Sequence, residues 1–164
     1  MRRLAVYSLS AEGFAPYGEV LDASGPPTNF ANNGTIEVYR DIAGIDVTAD
    51  GGCVCLSVAR ARGRALPFRI EVMESHPLGS QAIAPLGTAC ILIVVAPPGP
   101  LDPEHIAAFR TSGRQGVNYR RGVWHHPLIA LSRGGDFLIV DRAGEGENLV
   151  LEKLVQPLDV FARD

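Results

Sequence analysis

The 164-residue sequence has little of anything that holds or anchors a protein by means other than an ordinary core. Its 3 cysteines, Cys53, Cys55 and Cys90, are an odd set, which excludes a fully paired disulfide framework and predicts reduced thiols. Cys53 and Cys55 stand two apart in a strand-like run and so share one face; such a pair suits a soft metal, but the plainer reading is two small core residues. A formal charge of −3, from 15 basic and 18 acidic residues, gives no broad field of either sign. That argues against nucleic acid and anionic lipid and favours a small-molecule partner. The longest apolar run, Ala89 to Pro98, is too short to cross a bilayer. Met1 to Val6 lacks the apolar core and cleavage site of a signal peptide. The expectation is a soluble, cytoplasmic protein that meets no membrane.

What the chain does have is punctuation: 18 glycines and 12 prolines cut the apolar pattern into short alternating blocks. These predict strands near residues 17–21, 36–40, 54–60, 68–74, 81–84, 91–96, 116–119, 137–141 and 150–154. Two segments read as helical. Ser10 can cap a turn or two before Pro16, and Asp102 followed by Pro103 predicts a helix to Arg110 that packs Ile106 and Phe109 on the sheet. His105 falls on another face of that helix and is expected in solvent. No repeat or linker divides the sequence, so residues 1–164 are read as one domain. Many short strands with one or two short helices indicate a mainly β sandwich or barrel, whose inward positions can hold a small ligand.

Two stretches concentrate the chemistry: Glu74-Ser75-His76-Pro77-Leu78-Gly79-Ser80-Gln81 and Asn118-Tyr119-Arg120-Arg121-Gly122-Val123-Trp124-His125-His126-Pro127-Leu128. They hold three of the four histidines and the only tryptophan. If the strand through Phe68, Ile70 and Val72 persists, Glu74 and His76 share its interior face. Pro77 and Gly79 turn the chain so that Gln81 returns near His76. Gly122 permits a tight turn before His125 and His126, of which only one can point inward; Trp124 shares a face with His126. Each residue has a plain reading as a satisfied core or rim group. Together, a carboxylate, two imidazoles and an amide are costly to bury unless they pair or serve a function.

The spacings Glu74-x-His76-x4-Gln81 and Arg120-x-Gly122-x-x-His125 resemble the two motifs of the cupin superfamily, small barrels of the double-stranded β-helix type. That resemblance implies a cupin-like barrel in which Glu74, His76, Gln81 and His125 occupy the four metal-ligand positions and His126 points outward. A divalent ion such as Ni, Zn or Fe suits imidazole and carboxylate donors, although an amide in place of a carboxylate weakens the set by one charge.

A longer resemblance covers nearly the whole chain. Phe14-Ala15-Pro16-Tyr17-Gly18-Glu19-Val20, Asn32-Asn33-Gly34-Thr35, His76-Pro77-Leu78-Gly79-Ser80-Gln81, Ala84-Pro85-Leu86, Gln115-Gly116-Val117-Asn118-Tyr119 and Gly122-Val123-Trp124-His125-His126-Pro127-Leu128 resemble the phrases of the ureidoglycolate lyase family. Ser75 stands where arginine is usual, and Ile83 where phenylalanine is common. The resemblance implies cleavage of ureidoglycolate to glyoxylate and urea in allantoin and purine breakdown, which needs a base, an acid and a carboxylate anchor. His125 is the expected base or ligand, with His76 its partner, Glu74 orienting an imidazole, and Tyr119 an alternative proton donor. Arg40 is the first candidate anchor, ahead of Arg120 and Arg121. Trp124 is expected to wall the pocket, and Gln81 and His126 to touch substrate. A homodimer is implied. The competing readings are an amidohydrolase on the same substrate, a metal-dependent isomerase or dioxygenase, and a non-catalytic cupin that binds a small acid.

Overall fold

The unbroken apolar run Ile91–Ala96 is buried at every position, and a strand with no polar face needs cover on both sides. It forms the wall between two cores. The computed structural model describes residues 3–162. In chain order the strands are β1 (Arg3–Ser8), β2 (Gly18–Leu21), β3 (Asn29–Ala31), β4 (Ile36–Val38), β5 (Cys53–Arg62), β6 (Phe68–Ser75), β7 (Gln81–Pro85), β8 (Ile91–Ala96), β9 (Ala107–Arg110), β10 (Gly116–Tyr119), β11 (Trp124–His125), β12 (Ile129–Ala130), β13 (Gly134–Ala143) and β14 (Val150–Phe161). One helix, α1 (Ala11–Phe14), is capped by Ser10, whose Oγ accepts from Gly13 N.

Seven strands form a sheet in the order β11-β6-β14-β1-β9-β8-β12, and β11 also pairs with β8, which closes a ring. Alternate residues of the ring strands fill its interior: Leu4, Val6, Ile70, Leu92, Val94, Trp124, Leu158 and Val160 belong to one apolar cluster. The second sheet, β2-β10-β7-β13-β5, covers the outer wall of the ring. Between them lies a second cluster, in which Ile91, Ile93 and Val95 of β8 meet Ile83, Val117 and Phe137. Strands β3 and β4 pair with each other as a separate hairpin. The architecture is thus the mainly β, cupin-like barrel that the sequence indicates, with one short helix.

Three local expectations are corrected. The segment after Asp102 is a single 3-10 turn, Pro103–His105, followed by β9. Asp102 does cap, accepting from Glu104 N, but β9 is inserted between β1 and β8, and sheet pairing on both sides overrides helix propensity. Ile106 and Phe109 therefore enter different cores. His105 is exposed as expected, with Nδ1 3.0 Å from Asp102 Oδ2. All three cysteines are free; Cys53 is exposed and Cys55 half-buried because β5 is an edge strand with only one neighbour, and Cys90, just before β8, is half-buried as well.

The third correction moves the site. Val72 pairs with Lys153 whereas Ile70 pairs with Leu158, so β14 advances five residues while β6 advances two. An odd slip of this kind breaks the alternation of β6: Ile70 and Met73, three apart, both enter the ring. Glu74 consequently faces away from Ile70 and away from the ring interior. The strand also ends at Ser75, itself buried, so His76 belongs to the following turn.

Candidate active site

Strand β11 joins the two sequence stretches. His125 pairs with Glu74 of β6 on one side and with Val95 of β8 on the other, so all three side chains emerge on one face. Val95 belongs to the core between the sheets, and that assigns His125 and Glu74 to the same side. Trp124, one residue earlier, points into the ring and donates its Nε1–H to Gly99 O at 2.8 Å. His126 is also on that side, edge-on to Phe68 with ring centroids 5.6 Å apart, and Nδ1 donates to Pro127 O at 2.8 Å. Of the two histidines, His125 is the one beside Glu74. The carboxylate and imidazoles meet outside the ring, in the space between its wall and the second sheet, rather than inside a barrel mouth.

One ligand atom each from Glu74, His76 and His125 lies within 4.8 Å of the others. His125 Nε2 is 3.4 Å from Glu74 Oε1, and the rings of His76 and His125 are 5.2 Å apart. Both imidazoles are oriented by backbone carbonyls. His125 Nδ1 lies 3.1 Å from Val123 O, and His76 Nδ1 lies 2.7 Å from Asn148 O. A carbonyl only accepts, so Nδ1 carries the proton in each ring. The Nε2 atom of each ring faces inward, and both Nε2 atoms are buried without a hydrogen-bond partner. Two lone pairs beside a carboxylate repel one another unless a proton or a cation sits among them. Two imidazoles fixed through Nδ1 and one carboxylate also make a donor set that suits a divalent first-row ion. The residues present fit such an ion.

Burial works to raise the Glu74 carboxyl, but the contact with His125 and the nearby charges of His125, His76 and His126 outweigh it and hold it below the ordinary carboxylate range. Glu74 is therefore ionised at neutral pH. Burial lowers His126, only partly offset by its bond to Pro127 O and by Glu74, so His126 favours its neutral form. Tyr119 stacks on His125, with centroids 4.2 Å apart and planes 7° off parallel. Burial first, and the Glu74 charge second, push its phenol well up.

Tyr119 in β10 pairs with Gln81 in β7, so Gln81 emerges on the same face of the second sheet. Arg40 is exposed at the end of the β3–β4 hairpin, where its Nε donates to Asn29 Oδ1 at 3.0 Å. Arg120 binds Glu19 and Ala15 O, and Arg121 lies 3.6 Å from Asp46. The structure thus brings Glu74, His76, His125 and Tyr119 together with Gln81 on the adjoining face. It does not bring Arg40, Trp124 or His126 into the triad.

Two supports shape the site. Gly122, at φ 79°, turns the chain tightly before β11, and its N–H donates to His76 O at 2.9 Å, tying the two stretches together. Asn148 clamps the other side: its carbonyl receives His76 Nδ1, and its side-chain Oδ1 receives Leu78 N at 2.8 Å. Nothing in the spacing around Asn148 marks it, because it sits in a Gly- and Glu-rich turn that reads only as a loop.

Residues 1–161 match the family model described as ureidoglycolate lyase. The chain belongs to the ureidoglycolate lyase family. It is 50% identical over 146 residues to a protein of Burkholderia cepacia named ureidoglycolate lyase, covering 88% of this chain and 82% of that one. A protein of the same name from Burkholderia mallei (strain NCTC 10229) is 46% identical over 158 residues, covering 96% and 93%. A third, from Stutzerimonas stutzeri (strain A1501), is 43% identical over 149 residues, covering 90% and 88%.

Proposed function

We propose that this protein is a lyase that cleaves the C–N bond of (S)-ureidoglycolate, giving glyoxylate and urea in allantoin and purine breakdown. Family membership supplies the substrate. The observation that carries the chemistry is the pair of buried, inward-turned Nε2 atoms beside an ionised carboxylate.

The substrate bears a hydroxyl and a ureido nitrogen on one carbon, next to a carboxylate. Loss of the hydroxyl proton lets the C–O electrons form the carbonyl as the C–N pair leaves on nitrogen, which must then be protonated. His125 is the base, since its Nδ1–H is fixed on Val123 O and its Nε2 faces the site. Glu74 stabilises the imidazolium that results, across 3.4 Å. The proton taken up at His125 Nε2 passes to the departing nitrogen through His76 Nε2, whose ring is held beside His125 by the clamp of Asn148. Tyr119 keeps its proton and walls His125. Where a divalent ion is bound instead, Glu74, His76 and His125, with Gln81 near them, would hold it, His125 would be a ligand in place of the base, and the ion would supply Lewis-acid lowering of the hydroxyl pKa. Arg40 remains the proposed carboxylate anchor.

A cytoplasmic homodimer completes the reading. No helix among the described residues is long and apolar enough to cross a membrane. Val54, Leu56 and Val58 stand in a row on β5, 52%, 67% and 64% exposed, on a strand with a free edge. Sedimentation of wild type and Leu56→Asp tests the dimer, which is expected to dissociate in the variant. For the reaction, purified protein is given ureidoglycolate with and without chelator while glyoxylate, urea and ammonia are measured. Equimolar urea and glyoxylate are expected, whereas ammonia without urea assigns an amidohydrolase and binding without turnover a non-catalytic role.

A further inference from the structure

The inner face of the second sheet carries a row of residues whose register can be followed strand by strand. Tyr119 of β10 pairs with Gln81 of β7. Strand β7 pairs with β13 as Ile83 with Ile139 and Ala82 with Val140, and one further step sets Gln81 beside Asp141. Asp141 in turn pairs with Cys55 of β5. Ile83 and Ile139 pack in the core between the sheets, and residues two apart on a strand share a face. Gln81 and Asp141 therefore emerge on that inner face, one step beyond the apolar filling.

Asp141 is half-buried, and its carboxylate makes no hydrogen bond and no ion pair among the described residues. The Gln81 amide is likewise half-buried and makes none. A partly desolvated carboxylate and an amide, side by side and unpartnered, leave an acceptor pair on Asp141 and both an acceptor and a donor on Gln81 open to a ligand. Tyr119, at the other end of the row, is the residue stacked on His125. Two strand spacings separate Tyr119 from Asp141, roughly 10 Å. The interval between triad and Asp141 is suited to a small molecule lying across the row.

We propose that Asp141 is a specificity-determining residue of this site and accepts the N–H groups of a ureido substituent, with Gln81 alongside it. This rests on the ureidoglycolate reading above. A urea presents parallel N–H groups that a carboxylate can accept as a pair, the neutral counterpart of an arginine fork. The substrate carboxylate is repelled by Asp141, which leaves the ureido end as the part of the substrate that lies against β13.

The test is steady-state cleavage of ureidoglycolate by wild type, Asp141→Asn and Asp141→Ala, together with inhibition by glyoxylate, which lacks the ureido group. Loss of charge-assisted hydrogen bonds is expected to raise KM about 10- to 100-fold in the alanine variant, with kcat changed much less. The glyoxylate inhibition constant stays within about twofold, because that ligand makes no such contact. The isosteric asparagine variant preserves the fold if alanine does not, and it is expected to lose affinity in the same direction. Unchanged kcat/KM in folded variants, or a glyoxylate constant that moves in parallel with KM, overturns the proposal. An active wild type with unaffected variants removes Asp141 alone, whereas a wild type that releases no urea removes the functional reading and this inference with it.

Discussion

The two cores of this protein are built from the same strand and do different work. Even-numbered residues of β8 face the closed ring, where the buried cluster is apolar and the one indole N–H has a carbonyl partner. Odd-numbered residues face the second sheet, where an apolar filling gives way to Glu74, His76, His125, Gln81 and Asp141. Satisfied apolar packing is worth stability and little else, whereas orphaned buried nitrogen atoms cost stability and are kept where they act. The ring is the scaffold, and the space between the sheets is the site.

The sharpest way to break this comparison is His125→Ala. Loss of the base is expected to lower kcat/KM about a hundred- to ten-thousand-fold with near-native thermal stability, measured by urea release and a melting curve. The mirror experiment is Leu158→Ala, deep in the ring at 2% exposure. It is expected to cost about 2–5 kcal/mol of unfolding free energy while kcat per folded molecule changes little. Asn148→Ala lies between them. It removes the bond to Leu78 N and loosens the turn that presents His76, and about a tenfold fall in activity is expected. The smallest effect belongs to Val155→Ser on the outside of β14, where the side chain is 97% exposed and belongs to neither core. Denaturant unfolding of that variant is expected to stay within about 0.5 kcal/mol of wild type.

The sequence makes some of this contrast legible. The apolar blocks predict a strand at 91–96, and the identical span is observed, buried on both faces. Gly122 and the alternation after it place Trp124 and His126 on one face and His125 on the other, although only the pairing with Glu74 selects His125. Other features depend on partners that no local pattern contains. The alternation through Phe68, Ile70 and Val72 assigns Glu74 to the ring interior, because the slip that reverses it is dictated by the extra residues of β14, eighty positions downstream. The cap and proline at Asp102–Pro103 are real, yet the following residues form a strand because β1 and β8 flank them. Asn148 acts partly through its backbone carbonyl, which any residue type possesses. Asp141 is an unremarkable strand residue until its register beside Gln81 is known.

The most direct test of the division between scaffold and site is to measure urea release and unfolding on His125→Ala and Leu158→Ala side by side, at a temperature where both are folded. His125→Ala is predicted to be folded and silent, and Leu158→Ala to be weakened and active. A His125→Ala protein that still releases urea at the wild-type rate, or a folded Leu158→Ala protein that has lost catalysis, would contradict the account.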